Sequence, residues 1–426
     1  MIAKNPLRAL LPIAILIGSA STAVAAVRLT YPVMGTARSV YWGSDSFPIR
    51  YEVDQRLLSE SADAPAIIDR AFAAWTSIDE ANITFERTAF VAGDQAGKNG
   101  RNSVTVADDL FKNQGMLAVT TNWYDDNGKL IEADIQIDST LMTSSYNAQH
   151  AIEHEIGHLL GLDHSASLSA VMYPYVGTGT GAALDSDDRI AIAAVYPKAN
   201  VSPEGATLKG SVVGSGGNIF AAQVVALNAL GEPVATGLTD QSGQFELRGV
   251  PAGDYRLYTE PLDGPVDPNN LAGIWRLAKV ESFPTQFLSG PPIHVESGRI
   301  YGNLALNSSG APVLLNPKWI GLGSPGQQSS RMDSMPVTMR TGQTMSVVVG
   351  GDGFTSGMTT FEVMSPGVQR VSDFRYAGNY AYADFSVTSE AHAGSAVILV
   401  HSGNETATLT GALRVDAPAR SRAVRR

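Results

Sequence analysis

The sequence contains no cysteine among its 426 residues. This absence excludes disulfide bonds, a thiolate nucleophile and a cysteine-ligated zinc site. Long apolar runs are missing as well: the run Ala9–Ile17 is broken from Gly18 onward, whereas a membrane-spanning helix needs about 20 apolar residues. We therefore expect no transmembrane segment, and any metal site must use histidine or oxygen ligands.

Basic residues are scarce in one half of the chain. Residues 27–199 hold 23 acidic and 12 basic side chains, whereas the rest of the chain holds 18 of each, so the net charge of −11 belongs to the first half. A nucleic-acid partner is excluded, because phosphate binding needs a basic surface. An acidic surface that aids solubility explains the imbalance. The alternative is calcium, with Asp125, Asp126 and Asp138 near predicted loops as oxygen donors and no ligand set assigned.

Histidine is also scarce, but four of the seven histidines lie within residues 150–164. His154, Glu155, His158, Gly161 and His164 fit the pattern H-E-x-x-H-x-x-G-x-x-H. Two histidines four residues apart share one face of a helix and can present two imidazoles to one metal ion. Gly161 can adopt the left-handed conformation that ends a helix, which lets His164 return as a third ligand. Three protein ligands leave one zinc position for water, which is the catalytic pattern.

The alternative interpretation of this pattern is a helix with solvated or hydrogen-bonded histidines. Requiring the glycine and the third histidine makes a chance match about six-hundred-fold rarer for this composition. Downstream, S-A-V-M-Y-P places Met172 and Pro174 in a turn. Together these residues resemble the metzincin zinc proteases and their Met-turn. Gly157 and Ser165, with the later stretch Leu184–Ile190, resemble the matrixin branch.

The matrixin resemblance covers roughly Val27–Ala199 and implies an α+β fold, in which a mixed sheet precedes the zinc helix. It implies one catalytic zinc ion, with Glu155 as general base. It also implies that Leu117–Thr121 is an edge strand along which an extended peptide binds. The residues implied in the site are the ligands His154, His158 and His164, the supports Met172 and Gly161, and the substrate-binding candidates Leu117, Ala118 and Pro174.

Three features depart from the matrixin pattern or extend it. Matrixins usually carry an aromatic residue two positions after the Met-turn proline, where this chain has Val176, beside Tyr175. The shape of the specificity pocket is therefore open. Matrixins also commonly bind calcium, and the thiol that keeps many of them latent is missing here.

The ends of the chain predict export and a flexible tail. Lys4 and Arg8, the apolar run and the small residues up to Ala26 are typical of a secretory signal peptide at residues 1–26. We therefore expect a secreted, extracellular protein. The basic residues 417–426 predict a disordered tail.

The pattern of the second half of the chain predicts short β-strands separated by Gly, Pro and Asp. Residues 200–308 resemble a carboxypeptidase regulatory-like β-sandwich, on the stretches 239–245 and 251–257, with Pro261–Pro292 as a long insertion. Residues 311–416 resemble an immunoglobulin-like IPT/TIG module. The predicted fold class is therefore multidomain, with a metzincin catalytic domain at 27–199 followed by two all-β sandwiches.

The sequence thus predicts a secreted zinc endopeptidase that acts on protein or peptide substrates. Attachment to a cell surface or matrix through the sandwiches is a further expectation. The alternative from another class is a surface adhesion protein, whose sandwiches bind and whose protease fold is accessory or inactive. That alternative predicts a degenerate zinc motif, whereas all three histidines and the glutamate are intact here.

Overall fold

The computed structural model describes residues 27–33, 36–93, 96–112, 115–178, 181–198, 205–308 and 312–416. The predicted signal peptide (1–26) and basic tail (417–426) lie outside these residues. In the first part, the strands are β1 (Thr30–Val33), β2 (Thr36–Ser39), β3 (Ile49–Asp54), β4 (Phe85–Val91), β5 (Asn102–Val106), β6 (Ala118–Tyr124) and β7 (Leu130–Ile137). The helices are α1 (Leu57–Glu60), α2 (Ala64–Thr76), α3 (Asp108–Phe111), α4 (Ala148–Leu159) and α5 (Ser186–Val195), with 3-10 turns at Ser44–Ser46 and Ser139–Thr143.

A mixed five-stranded sheet, in the order β4-β3-β5-β7-β6, forms the base of this part. The pairs β3–β4, β3–β5 and β5–β7 are parallel, and β6 runs antiparallel to β7 at one edge. The edge strand predicted at Leu117–Thr121 is thus confirmed from Ala118 onward, within β6, whereas Leu117 lies just before the strand. In β4, exposed and half-buried positions alternate, as expected for the strand at the opposite edge.

Helix α2 packs against α4, the helix that carries the H-E-x-x-H motif. Ile68, Phe72 and Trp75 recur at helical spacing on the buried face of α2. The indole Nε1 of Trp75 donates a 2.9 Å hydrogen bond to the carbonyl of Glu153 on α4. This bond satisfies the polar atom of a side chain that is otherwise fully buried.

Residues 205–308 form two facing sheets. Their strands are β8 (Ala206–Gly214), β9 (Gly217–Asn218), β10 (Gln223–Asn228), β11 (Pro233–Leu238), β12 (Gln244–Val250), β13 (Gly253–Glu260), β14 (Gln286–Phe287), β15 (Ile293–Val295) and β16 (Ile300–Ser308). One sheet has the order β11-β10-β13-β14, with β15 also on β13, and the other has the order β12-β8-β16, with β9 also on β8. A buried apolar cluster that includes Val224, Phe245 and Leu257 draws on both sheets.

Residues 312–416 form a second pair of sheets. Their strands are β17 (Asn316–Gly323), β18 (Val337–Arg340), β19 (Thr344–Asp352), β20 (Thr360–Val363), β21 (Val368–Arg370), β22 (Arg375–Ala377), β23 (Tyr380–Val387), β24 (Gly394–Ser402) and β25 (Glu405–Asp416). The sheet orders are β17-β19-β23-β21, with β22 also on β23, and β18-β25-β24-β20. The expected fold class, an α+β part followed by two sandwiches, is confirmed.

The three parts pack against one another. One buried apolar cluster contains Leu168 and Tyr173 from the first part, Trp275 from the second and Leu409 from the third. The amide of Leu168 also donates a 2.9 Å hydrogen bond to the carbonyl of Thr410. Among the described residues, we find no helix of the length and hydropathy that crossing a bilayer requires.

Candidate metal centre

Helix α4 presents the first two histidines of the motif. The side chain of Asn147 caps the helix by accepting from the amide of His150, and the last helical residue is Leu159. The helix ends because Gly161 has φ +91°, where a Cβ would lie 2.8 Å from the carbonyl oxygen of Val40. Only glycine fits this reversal, which carries the chain back towards His164.

The three imidazoles converge. The Nε2 atom of His164 lies 3.2 Å from Nε2 of His158 and 3.2 Å from Nε2 of His154. In each ring, the other nitrogen faces a backbone carbonyl, so it carries the proton and leaves Nε2 with a lone pair. These carbonyls belong to Val171 (2.7 Å from His154), Leu162 (2.9 Å from His158) and Asn270 (beside His164).

The donor set fits zinc. Zinc–nitrogen bonds of about 2.0–2.1 Å in a tetrahedral arrangement separate two ligand nitrogens by roughly 3.3–3.4 Å. The 3.2 Å separations match that spacing. Three lone pairs that face one another without a proton between them repel, unless a cation lies among them. Matrixins bind zinc, and in the described part of the chain this trio is the group of side chains positioned to hold a metal ion.

The surroundings keep the three rings neutral. Burial is the main cause: it lowers the pKa of His154 well below its usual value and, with the nearby His158, lowers the pKa of His164 to about 3. Burial also lowers the pKa of His158. Neutral imidazole is the form that binds a metal ion, so no proton has to be displaced near neutral pH.

Glu155 lies beside the trio and has a partner that the sequence did not indicate. Its Oε2 accepts a 2.6 Å hydrogen bond from the hydroxyl of Thr120 on β6. Burial raises the pKa of Glu155 to about 7, and this hydrogen bond opposes the rise. A single threonine on an edge strand belongs to no sequence motif. Its contact with Glu155 is seen only in the structure, where α4 packs against β6.

The turn that contains Met172 packs against α4 at Gly157. Met172 is buried, and a Cβ added to Gly157 would lie 2.1 Å from its sulfur. Asp188, in the capping box of α5, fixes the turn by accepting from the amides of Val171 (2.7 Å) and Met172 (3.1 Å). Helix α5 thus holds the turn at Met172 through the carboxylate of Asp188, a role that the sequence did not suggest.

The remaining predicted site residues are distributed around the trio. Leu117 precedes β6, Ala118 begins it, and both are half-buried against the core. Pro174 follows the Met-turn and is half-buried. Val176 packs on the core, whereas the Tyr175 hydroxyl accepts from the Asn270 amide at 2.9 Å. A substrate-binding role for these residues stays a prediction.

Two of the three aspartates proposed for calcium accept hydrogen bonds from nearby backbone amides. Asp125 accepts from the amides of Asn127 and Lys129, and Asp138 caps the turn at Thr140. Within the described ranges, these aspartates are not part of a three-residue cluster that could hold a metal ion. Calcium stays a prediction without a ligand set.

Comparisons with known proteins address the first part of the chain. The family model described as Matrixin matches residues 41–197. Karilysin from Tannerella forsythia is 56% identical over 43 residues, or 10% of this chain and 9% of that protein. Metalloendoproteinase 2-MMP from Arabidopsis thaliana is 29% identical over 130 residues, or 28% of this chain and 32% of that protein. The chain thus spans at most about a third of the length of these two relatives.

Among solved structures, the major pilin subunit BcpA of Bacillus cereus is 8% identical, covers 48% of this chain and 66% of its own, and has a TM-score of 0.14. The match of the family model coincides with the sheet, the zinc-type motif and the Met-turn described above. Residues 41–197 are thus similar to the matrixin family.

Proposed function

We propose that this chain is a secreted zinc endopeptidase that hydrolyses peptide bonds in extended polypeptides. The observation that supports it best is the convergence of three unprotonated imidazole nitrogens, with Nε2 of His164 3.2 Å from Nε2 of both His154 and His158, at a helix that also carries the buried Glu155. His154, His158 and His164 would hold one zinc ion. The match of the matrixin family model to residues 41–197 supports a metallopeptidase, and the buried carboxylate supports hydrolysis by activated water.

Zinc, when bound, supplies Lewis-acid chemistry: it polarises the scissile carbonyl and brings the pKa of its water close to 7. Glu155 takes the proton of the attacking water as general base and then delivers it to the nitrogen of the leaving amine. The Thr120 hydroxyl holds Oε2 of the carboxylate at 2.6 Å, which limits its rotation. Val171 and Leu162 orient the imidazoles through their carbonyls, so the ligands are arranged before substrate arrives.

The substrate would bind as an additional strand beside β6. In the described sheet, β6 pairs with β7 on one side only, so its other edge offers backbone donors and acceptors to an extended peptide. Leu117 and Ala118, at the start of this edge, would contribute backbone contacts. Pro174 would lie along the opposite wall of the cleft.

The deciding experiment compares two isosteric variants on one helix. Glu155→Gln removes the proposed base, whereas Glu153→Gln changes another buried glutamate whose pKa burial also raises to about 7. We expect Glu155→Gln to bind zinc and to lose about 10²- to 10⁴-fold in cleavage of casein or a quenched peptide, the usual contribution of general-base catalysis. Glu153→Gln should cleave as wild type does.

Equal activity in both variants would remove Glu155 from the mechanism. A wild-type chain that binds zinc but cleaves nothing would favour the adhesion hypothesis, in which the sandwiches bind and the protease fold supports them. Secretion is tested separately, because the mature N-terminus of exported protein should begin at Val27 if residues 1–26 are a signal peptide.

A further inference from the structure

A segment of the first sandwich leaves its own sheets and crosses to the metal centre. We call residues 261–278, between β13 and β14, the bridging loop; it contains 3-10 turns at Pro268–Asn270 and Trp275–Leu277. It belongs to the stretch that the sequence marked as a long insertion. Its contacts with the matrixin domain concentrate around the third histidine.

The first contact is with a proposed ligand itself. The carbonyl of Asn270 accepts the hydrogen bond from Nδ1 of His164, across 106 residues of sequence. The equivalent carbonyls for His154 and His158 come from Val171 and Leu162 in the matrixin domain. Of the three rings, His164 is therefore the one whose orientation depends on another domain.

The second contact runs through Asp163, a buried carboxylate next to His164. Its Oδ1 accepts from the amide of His164 at 2.8 Å, and its Oδ2 accepts from the amide of Ala272 at 2.9 Å. Only 2% of this residue is exposed. One side chain thus ties the backbone of the ligand to the backbone of the bridging loop.

Two more contacts fix the bridging loop on either side. The side-chain amide of Asn270 donates to the Tyr175 hydroxyl at 2.9 Å, beside the Met-turn. The amide of Ile274 donates to the Thr30 hydroxyl at 3.2 Å, on the N-terminal strand. Within the loop, a capping box between Asp267 and Asn270 holds the turn that presents the Asn270 carbonyl.

We propose that the bridging loop is a built-in part of the metal centre and positions His164 for zinc. This inference rests on the proposed function, since it assumes that zinc is the cation. Its consequence is that the zinc affinity of the matrixin domain depends on residues of the sandwich. Partners that orient a ligand in this way typically change metal affinity by about 10- to 100-fold.

The test uses full-length protein and two matched pairs of variants. Asn270→Ala removes the capping box and the bond to Tyr175, whereas Asn269→Ala changes an exposed side chain one position away. Gly273→Ala places a Cβ 2.2 Å from the Thr30 carbonyl oxygen at φ +57°, whereas Gly264→Ala adds a methyl to open space in the same loop.

Zinc dissociation constants come from chelator competition, and the absorption spectrum of the cobalt-substituted protein reports ligand geometry. We expect Asn270→Ala and Gly273→Ala to bind zinc about 10- to 100-fold more weakly and to change the cobalt band. The two control variants should match wild type in both measurements. Urea unfolding of the metal-free chains shows that the variants are folded, which separates a positioning role from a general loss of structure.

The outcomes distinguish this inference from the proposed function. Folded Asn270→Ala and Gly273→Ala proteins with wild-type zinc affinity and cobalt spectrum would overturn the positioning role, while the protease assignment would stand. A wild-type chain that binds no zinc would overturn the proposed function, and this inference with it.

Discussion

The contact between Gly157 and Met172 gives a prediction in which two opposing effects can be weighed. Replacing a helical glycine with alanine ordinarily stabilises a protein by about 1 kcal/mol, since it removes backbone freedom from the unfolded chain. In α4 the new Cβ would lie 2.1 Å from the sulfur of Met172 and 3.1 Å from Cζ2 of Trp75. Helix propensity and packing therefore predict opposite signs for Gly157→Ala.

Packing should prevail. Non-bonded carbon atoms prefer about 3.5–4.0 Å, so the 2.1 Å contact must open by more than 1 Å. Met172 is only 2% exposed and Trp75 is fully buried, so neither side chain can swing into solvent. Overpacking of a filled core costs about 1–3 kcal/mol. With a value near the upper end and the propensity gain subtracted, we expect Gly157→Ala to lose about 2 kcal/mol in free energy of unfolding.

A double-mutant cycle isolates this clash. Met172→Ala alone should lose about 2–5 kcal/mol through the cavity it leaves. In the double variant the methyl at position 157 occupies part of that cavity, so we expect the two losses to fall short of additivity by at least about 1 kcal/mol. Gly181→Ala, whose methyl meets open space, is the control.

The assay is urea unfolding in excess chelator, so that changes in zinc affinity do not enter the free energies. A stabilised Gly157→Ala protein, or two additive losses, would refute the argument that the Met-turn excludes a side chain at position 157. The same cycle with zinc present then reports whether the displaced sulfur disturbs the three histidines.

Two further predictions concern pH and metal removal. Burial raises the pKa of Glu260 to about 7, so between its unfolded value near 4.5 and about 7 the folded chain holds a proton that the unfolded chain has lost. Glu260 should therefore contribute a fall in stability of about 1.4 kcal/mol per pH unit across this window, and Glu260→Gln should make the slope measured from pH 5 to 8 less steep than that of wild type by about this amount. At a free zinc concentration ten times its dissociation constant, the wild-type chain should be about 1.4 kcal/mol more stable than without zinc. The stability of His158→Ala should not change with zinc. An equal response in both proteins would argue against the trio as the zinc site.

The parts of the site that could be predicted from sequence are those whose geometry is local. His154 and His158 lie four residues apart on one helix, and Gly161 ends that helix with φ +91°. The conformation of such a segment follows from its own residues and nearest neighbours. The β6 edge could be predicted only through resemblance to a family, because a short apolar strand does not show its place in a sheet.

The contacts that escaped prediction join distant parts of the chain. Thr120 reaches Glu155 across 35 residues, and Asp188 reaches Val171 across 17. The sequence also marked the insertion after β13 without indicating that it leaves its sandwich. Hydrogen bonds to backbone carbonyls, such as that of Asn270, leave no trace in residue type, because every residue has a carbonyl.

The link between His164 and the carbonyl of Asn270 also has a consequence in time. Ribosomes add roughly 5–20 residues per second, so the acceptor, 106 residues further along, is synthesised roughly 5–20 s after the histidine. During that interval the nascent chain contains the whole H-E-x-x-H motif but not the group that fixes its last imidazole. Completion of the metal centre is therefore coupled to the synthesis of the neighbouring sandwich. A chain released early would carry an incomplete metal centre.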